Sequence, residues 1–150
     1  MKQTKERVAE IQVSYLPSTN KKPVVKTAFD AFLELIEFFP MNTISLHERF
    51  VAMYLNRSNR VLGVYELSKG GITGTVVDLR LLLSVALKVA ATGIILCHNH
   101  PSGNLQPSNN DRDITNKIRE ACKLFDIKLL DHLIISADRK YCSMAEEGFL

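Results

Sequence analysis

The sequence predicts an α/β (α+β) domain, in which strands and helices share one sheet-based core. Three observations carry this. Apolar runs of strand length alternate with segments of helical period. One strand–helix–strand crossover surrounds Asp78 to Cys97. The chain has 150 residues, 46% hydrophobic and 23% charged, which suits one soluble domain rather than a disordered chain or a disulfide scaffold. A chain this long buries about 68–70% of its unfolded surface, so it needs no metal or disulfide to fold.

The elements follow in order. Ile11, Val13 and Tyr15 alternate with Gln12 and Ser14, the period of a half-buried strand. Pro17 to Pro23 is a polar turn region, so residues 1–27 read as an N-terminal strand and basic turn ahead of a domain over 28–150. From Val25 to Phe39, Ala28, Phe29, Phe32, Leu33, Leu35, Ile36 and Phe39 keep a helical period, with Thr27 and Asp30 as cap and Pro40 as stop. Phe50 to Leu55 is apolar almost throughout, as in a strand buried on both faces. A turn at Arg57–Arg60 joins it to a second strand, Val61 to Leu67. Gly70-Gly71 breaks the chain.

Asp78 caps a helix expected to run to Ala91, with Leu82, Val85, Ala86 and Val89 inward and Gly93 in the left-handed position beyond it. Ile94 to Cys97 is a short apolar strand that delivers the chain to His98. A polar loop to Asn110 follows, then a helix with Ile114, Ile118, Ala121, Cys122 and Phe125 at helical spacing. Ile127–Ile135 and Tyr141–Ser143 read as the last strands.

Net charge is +3, too weak to argue for nucleic acid. The locally basic start (Lys2, Lys5, Arg7, Lys21, Lys22, Lys26) is interrupted by Glu6 and Glu10 and reads as solvated surface. Cys97, Cys122 and Cys142 lie far apart, without metal-binding spacing, as reduced thiols do. The N-terminus has no apolar signal segment, and Ser84, Lys88 and Gly93 interrupt the most apolar window. A cytoplasmic protein without membrane association is expected.

One loop concentrates the chemistry. His98 and His100, one residue apart in extended backbone, project to the same side. Imidazole suits late first-row divalent metals. Asp111, at the start of the next helix, can supply a third ligand, and three protein ligands leave a fourth position open for water, the mark of a catalytic zinc site. The plainer readings are a surface His pair and a Ser108-x-x-Asp111 capping box. Cys97 sits next to His98 but should face the opposite side of the strand, as a buried structural thiol.

His98-x-His100, seven residues, then Ser108-x-x-Asp111 resembles the JAMM motif of JAB/MPN-domain metalloproteins. The segment HNHPSGNLQPSNNDRDIT, with LLDHLII, HERFVAMYLNRSNRVLG, SKGGITGTVVDLR and YCSMAEEG, is similar to the RadC branch of that family, over roughly Ala28 to Gly148. The resemblance implies a curved mixed sheet flanked by helices and one zinc ion per chain on His98, His100 and Asp111. It also implies Glu48 as general base and Ser108 as support for a developing oxyanion. The activity the resemblance implies is zinc-dependent hydrolysis of peptide or isopeptide bonds in a peptide or protein substrate. Asp131-His132 reads either as a pair near the zinc, because ligating histidines need hydrogen-bond partners, or as a strand-end ion pair; His47 reads as surface.

The alternative is a RadC-type DNA repair-associated or mobile-element accessory module without peptidase activity. Members of that branch usually carry a helix-hairpin-helix region. The residues before Ala28 are too few for one, so direct nucleic-acid binding is not expected. An uncovered sheet edge would let two copies pair as a homodimer.

Overall fold

In the computed structural model, residues 8–70 and 76–150 are described. Gly71 and the basic residues Lys2, Lys5 and Arg7 lie outside them. The first helix, α1 (Ala28–Leu35), is started by a reciprocal box: Thr27 Oγ1 accepts from the Asp30 amide at 3.1 Å, and Asp30 Oδ2 accepts from the Thr27 amide at 3.0 Å. The chain then tightens into a 3-10 turn, Ile36–Phe38, before Pro40.

The expected strand at Ile11 to Tyr15 does not form. Ile11 is 87% and Val13 70% exposed. Alternation makes a strand only where a sheet edge accepts it. Here the chain meets the sheet differently: the Tyr15 hydroxyl donates to the Leu62 carbonyl, the Arg60 guanidinium donates to the Lys22 carbonyl at 3.3 Å, and Val24 forms a single bridge with Arg60.

β1 (Arg49–Leu55) and β2 (Val61–Lys69) form the expected hairpin, with Asn59 in the left-handed region of its turn (φ 56°). Asp78 caps α2 (Leu79–Lys88) by accepting from the Arg80 amide at 2.9 Å. This helix stops three residues short of Ala91, and Ala90 (φ 55°), not Gly93, takes the left-handed position. Gly93 instead opens β3 (Gly93–Asn99) at a close approach, where a Cβ would sit 2.9 Å from Leu130 Cδ1. α3 (Asn109–Lys123) follows, then β4 (Lys128–Ile135) and β5 (Tyr141–Ser143). Phe125 falls beyond the end of α3 and is 46% exposed rather than inward.

The five strands form one mixed sheet in the order β2-β1-β3-β4-β5, with β3 and β4 parallel and the other neighbours antiparallel. Alternation along the strands separates two apolar layers. Val51, Met53, Leu55, Ile95, Cys97, Leu133 and Ile135 pack with α1 and the turn after it. Phe50, Ala52, Tyr54, Ile94 and Leu96 pack with Leu82 and Ala86 of α2 and Ile118 and Cys122 of α3. Buried β1 is thus two-faced, as its near-continuous apolar run requires. The sandwich places the carboxyl end of β3 beside the amino end of α3, where open sheets gather ligands. All three cysteines are free thiols, and among the described residues no helix is long and apolar enough to cross a membrane.

Candidate metal centre

Strand periodicity sorts the residues around the carboxyl end of β3. Cys97 lies in the layer under α1, as its position next to His98 required. His98 turns to the other face, fully buried, with its ring stacked on Phe50 at 5.6 Å between centroids. His100 follows two residues later. Its amide is still tied to the Ile135 carbonyl at 3.0 Å, and the chain then turns through Gly103, whose φ of 82° suits a residue without Cβ.

Asp111 reaches the same point from α3. It is the third residue of the helix and closes a capping box with Ser108. Ser108 Oγ accepts from the Asp111 amide at 3.0 Å, and Asp111 Oδ2 accepts from the Ser108 amide at 2.8 Å. The helix amino end also favours the negative charge. Asp111 Oδ1 lies 3.1 Å from His98 Nε2 and Oδ2 lies 3.1 Å from His100 Nε2, while the two Nε2 atoms are 2.9 Å apart. The Nδ1 atoms are engaged elsewhere, His98 with His132 Nε2 at 2.7 Å and His100 with the Asn104 carbonyl at 2.5 Å.

A carbonyl only accepts, so His100 Nδ1 carries a proton and its Nε2 keeps the lone pair when the ring is neutral. Nitrogen, nitrogen and carboxylate therefore converge on one point. On a tetrahedral centre with ~2.0–2.1 Å bonds, neighbouring nitrogen ligands stand about 3.3 Å apart. The spacings here need only a small opening to meet that, so the donor set fits a divalent cation.

The electrostatics match. Burial works against ionisation of Asp111, but the hydrogen bonds from His100 and His98 and the Ser108 amide outweigh it and hold the carboxyl far below its usual range. Burial likewise opposes charge on His100, yet Asp111, the Asn104 carbonyl and Glu48 lift it above the ordinary imidazole value. Burial drives His132 well below that value, helped by His98.

His100, Asp111, Ser108 and Glu48 line one cleft of about 1130 Å³, together with Phe50 and Val77. Glu48 stands two residues before Phe50 in extended chain, on the side of His98. Burial raises its carboxyl, and His98 and His100 partly offset this. The Asp131-His132 expectation resolves into two separate roles. His132 faces His98, whereas Asp131 leaves the other face and accepts from Ser143 Oγ at 2.6 Å and the Ala145 amide at 3.0 Å. His47 takes part through its carbonyl, not its ring.

Two residues of this neighbourhood escaped the sequence reading. Thr115 Oγ1 lies 2.5 Å from the Asp111 carbonyl and 2.6 Å from His132 Nδ1. Its signal was a polar residue in the otherwise apolar stripe of α3. Asn99, between the two histidines, points the other way. It donates to the carbonyls of Ile44 (2.7 Å) and His47 (2.8 Å) and accepts from the Arg49 amide (2.7 Å), bracketing Glu48. Asn99→Ala should therefore lower stability by about 1–3 kcal/mol for each buried group left unpaired. Thermal denaturation beside an exposed control such as Asn110→Ala measures it.

The sequence that builds this centre has relatives. The profile of the RadC-like JAB domain matches residues 26–149, nearly the whole chain. The chain belongs to the RadC-like JAB domain family. It is 54% identical over 102 residues to a UPF0758 protein of Flavobacterium johnsoniae, covering 68% of this chain and 44% of that protein. It is 34% identical over 143 residues to one from Porphyromonas gingivalis, covering 95% and 63%, and 44% identical over 100 residues to one from Streptococcus gordonii, covering 67% and 44%. The chain thus spans about half the length of these relatives. The five-stranded mixed sheet with three helices agrees with the JAB/MPN fold.

Proposed function

We propose that this RadC-like JAB domain is a zinc-dependent hydrolase of peptide or isopeptide bonds. The observation that carries the reading is the convergence of His98 Nε2, His100 Nε2 and the Asp111 carboxylate beside a cleft that His100, Asp111 and Glu48 line. When bound, a zinc ion would supply Lewis acidity and bring the pKa of a coordinated water to about 7.

The chain's own groups supply the rest. Glu48 accepts the proton that the attacking water sheds, from its place on the cleft wall with His100 and Asp111. His98, His100 and Asp111 hold the cation. Ser108 Oγ spends its acceptor side on the Asp111 amide, which leaves its O–H to donate to charge developing on the carbonyl oxygen of a substrate. The cleft is open and of mixed polarity, suited to an extended peptide segment.

The test is metal analysis of protein purified without chelator, then a peptide- and isopeptide-library cleavage assay with and without chelator. Zinc-dependent cleavage supports the reading. Stoichiometric zinc without cleavage of any library member would favour the binding-module alternative. Ser108→Ala separates the two duties of that hydroxyl. Loss of the cap alone costs about 1 kcal/mol of stability with turnover intact; loss of an oxyanion donor slows turnover about 10²–10³-fold well below the melting transition. The second result is expected, with both effects present.

A further inference from the structure

A hydrogen-bonded chain ties the two elements that carry the metal-binding side chains. It runs from the Asp111 carbonyl to Thr115 Oγ1 (2.5 Å), on to His132 Nδ1 (2.6 Å), and from His132 Nε2 to His98 Nδ1 (2.7 Å). Thr115, His132 and His98 are all fully buried, so no solvent completes these contacts. The direction of every proton follows from one end. The Asp111 carbonyl can only accept, so the single hydroxyl proton of Thr115 goes to it. His132 Nδ1 must then donate to Thr115 Oγ1. A neutral imidazole with its proton on Nδ1 accepts at Nε2, so His98 Nδ1 donates to it. That leaves the lone pair of His98 on Nε2, the atom facing Asp111 and His100.

We propose that Thr115 is a positioning residue of the metal centre: it polarises the Thr115–His132–His98 chain so that His98 presents its Nε2 lone pair to the cation. This rests on the metal-binding reading above. Without the hydroxyl, His132 has no acceptor at Nδ1 and is free to carry its proton on Nε2. It would then point a donor at His98 Nδ1 and push the His98 proton onto Nε2, where a cation cannot bind. The arrangement also closes on itself. The carbonyl that sets the polarity belongs to Asp111, so a shift of α3 that withdraws the carboxylate also disturbs the histidine's proton.

Thr115→Val keeps the shape and removes the hydroxyl; Thr115→Ser keeps the hydroxyl. Zinc affinity, measured by competition with a chromophoric chelator, should fall about 10–100-fold in Thr115→Val and stay within about threefold of the parent in Thr115→Ser. The independent readout is imidazole ¹⁵N NMR of the metal-free protein. The parent should show His98 and His132 both protonated on Nδ1, and Thr115→Val should move His132 toward the Nε2-protonated form. A packing role alone would leave the tautomers unchanged. Unaltered zinc affinity in a folded Thr115→Val would overturn the proposal, and so would an Nε2-protonated His132 in the parent. If Thr115→Val does not fold, the parent spectrum and Thr115→Ser still decide. A parent that binds no zinc yet shows the stated tautomers sinks the metal reading and not the polarity of the chain.

Discussion

Glu48→Gln should leave zinc affinity within a few-fold of the parent and lower hydrolysis by about 10²–10⁴, the range for a lost general base. The two side chains match in size, and only the proton acceptor disappears. Glu48 lies outside the ligand group and reaches the site from the chain ahead of β1, so the metal should not notice the change. In the metal-free protein burial raises the Glu48 carboxyl, and a cation bound beside it would act in the opposite direction. Parent and variant should lose activity together on the acid side, where His100 takes up a proton and zinc is released, so the two are compared on the neutral plateau. Steady-state rates from pH 4 to 8 on a substrate found in the library assay provide the check. Equal turnover of parent and variant would remove the base from the mechanism.

His100→Ala should reduce zinc from stoichiometric to near zero after gel filtration, with the fold retained. His100 is partly exposed and its ring lies on the cleft, so truncation opens space to solvent rather than a void in the core. His98→Ala should lose zinc as fully but also melt earlier, because it removes a fully buried ring between Phe50 and His132. Zinc uptake should depend on pH. In the metal-free protein His100 is easier to protonate than a free imidazole, and the cation must displace that proton. Apparent affinity should drop about tenfold per unit below the folded His100 value and level off above it.

Stability without metal follows the same signs. The His100 contribution is complete below the ordinary imidazole range and is lost as pH rises through the raised value. The Asp111 contribution is complete above the ordinary carboxylate value and is lost as pH falls toward its depressed one. Calorimetry in buffers of different ionisation enthalpy, combined with metal titration, measures the proton released.

What was legible in the sequence was local. Thr27 with Asp30, Asp78, and Ser108 with Asp111 announced helix starts because a cap acts within one turn. The unbroken apolar run of β1 announced burial on both faces. The His98/His100/Asp111 group was visible because extended backbone fixes which side chains share a side. What stayed hidden depended on a distant partner. Ile11 to Tyr15 has the alternation of a strand, and only the sheet's edge could show that no described strand pairs with it. Gly93 looked like a helix terminator, yet it opens a strand, where a Cβ would meet the end of Leu130 on the neighbouring strand. Asn99 and Thr115 looked like filler between recognisable residues, yet each answers a group from 4 to 55 positions away.

The end of β3 assigns a different task to each successive position. Cys97 fills the layer under α1, His98 faces the cation position, Asn99 fastens the segment that brings Glu48, and His100 faces the cation position again. A single-residue insertion or deletion in this strand would turn each of the four to the wrong face. Ligand, anchor and packing would fail together, and no intermediate sequence of altered length would keep one of them.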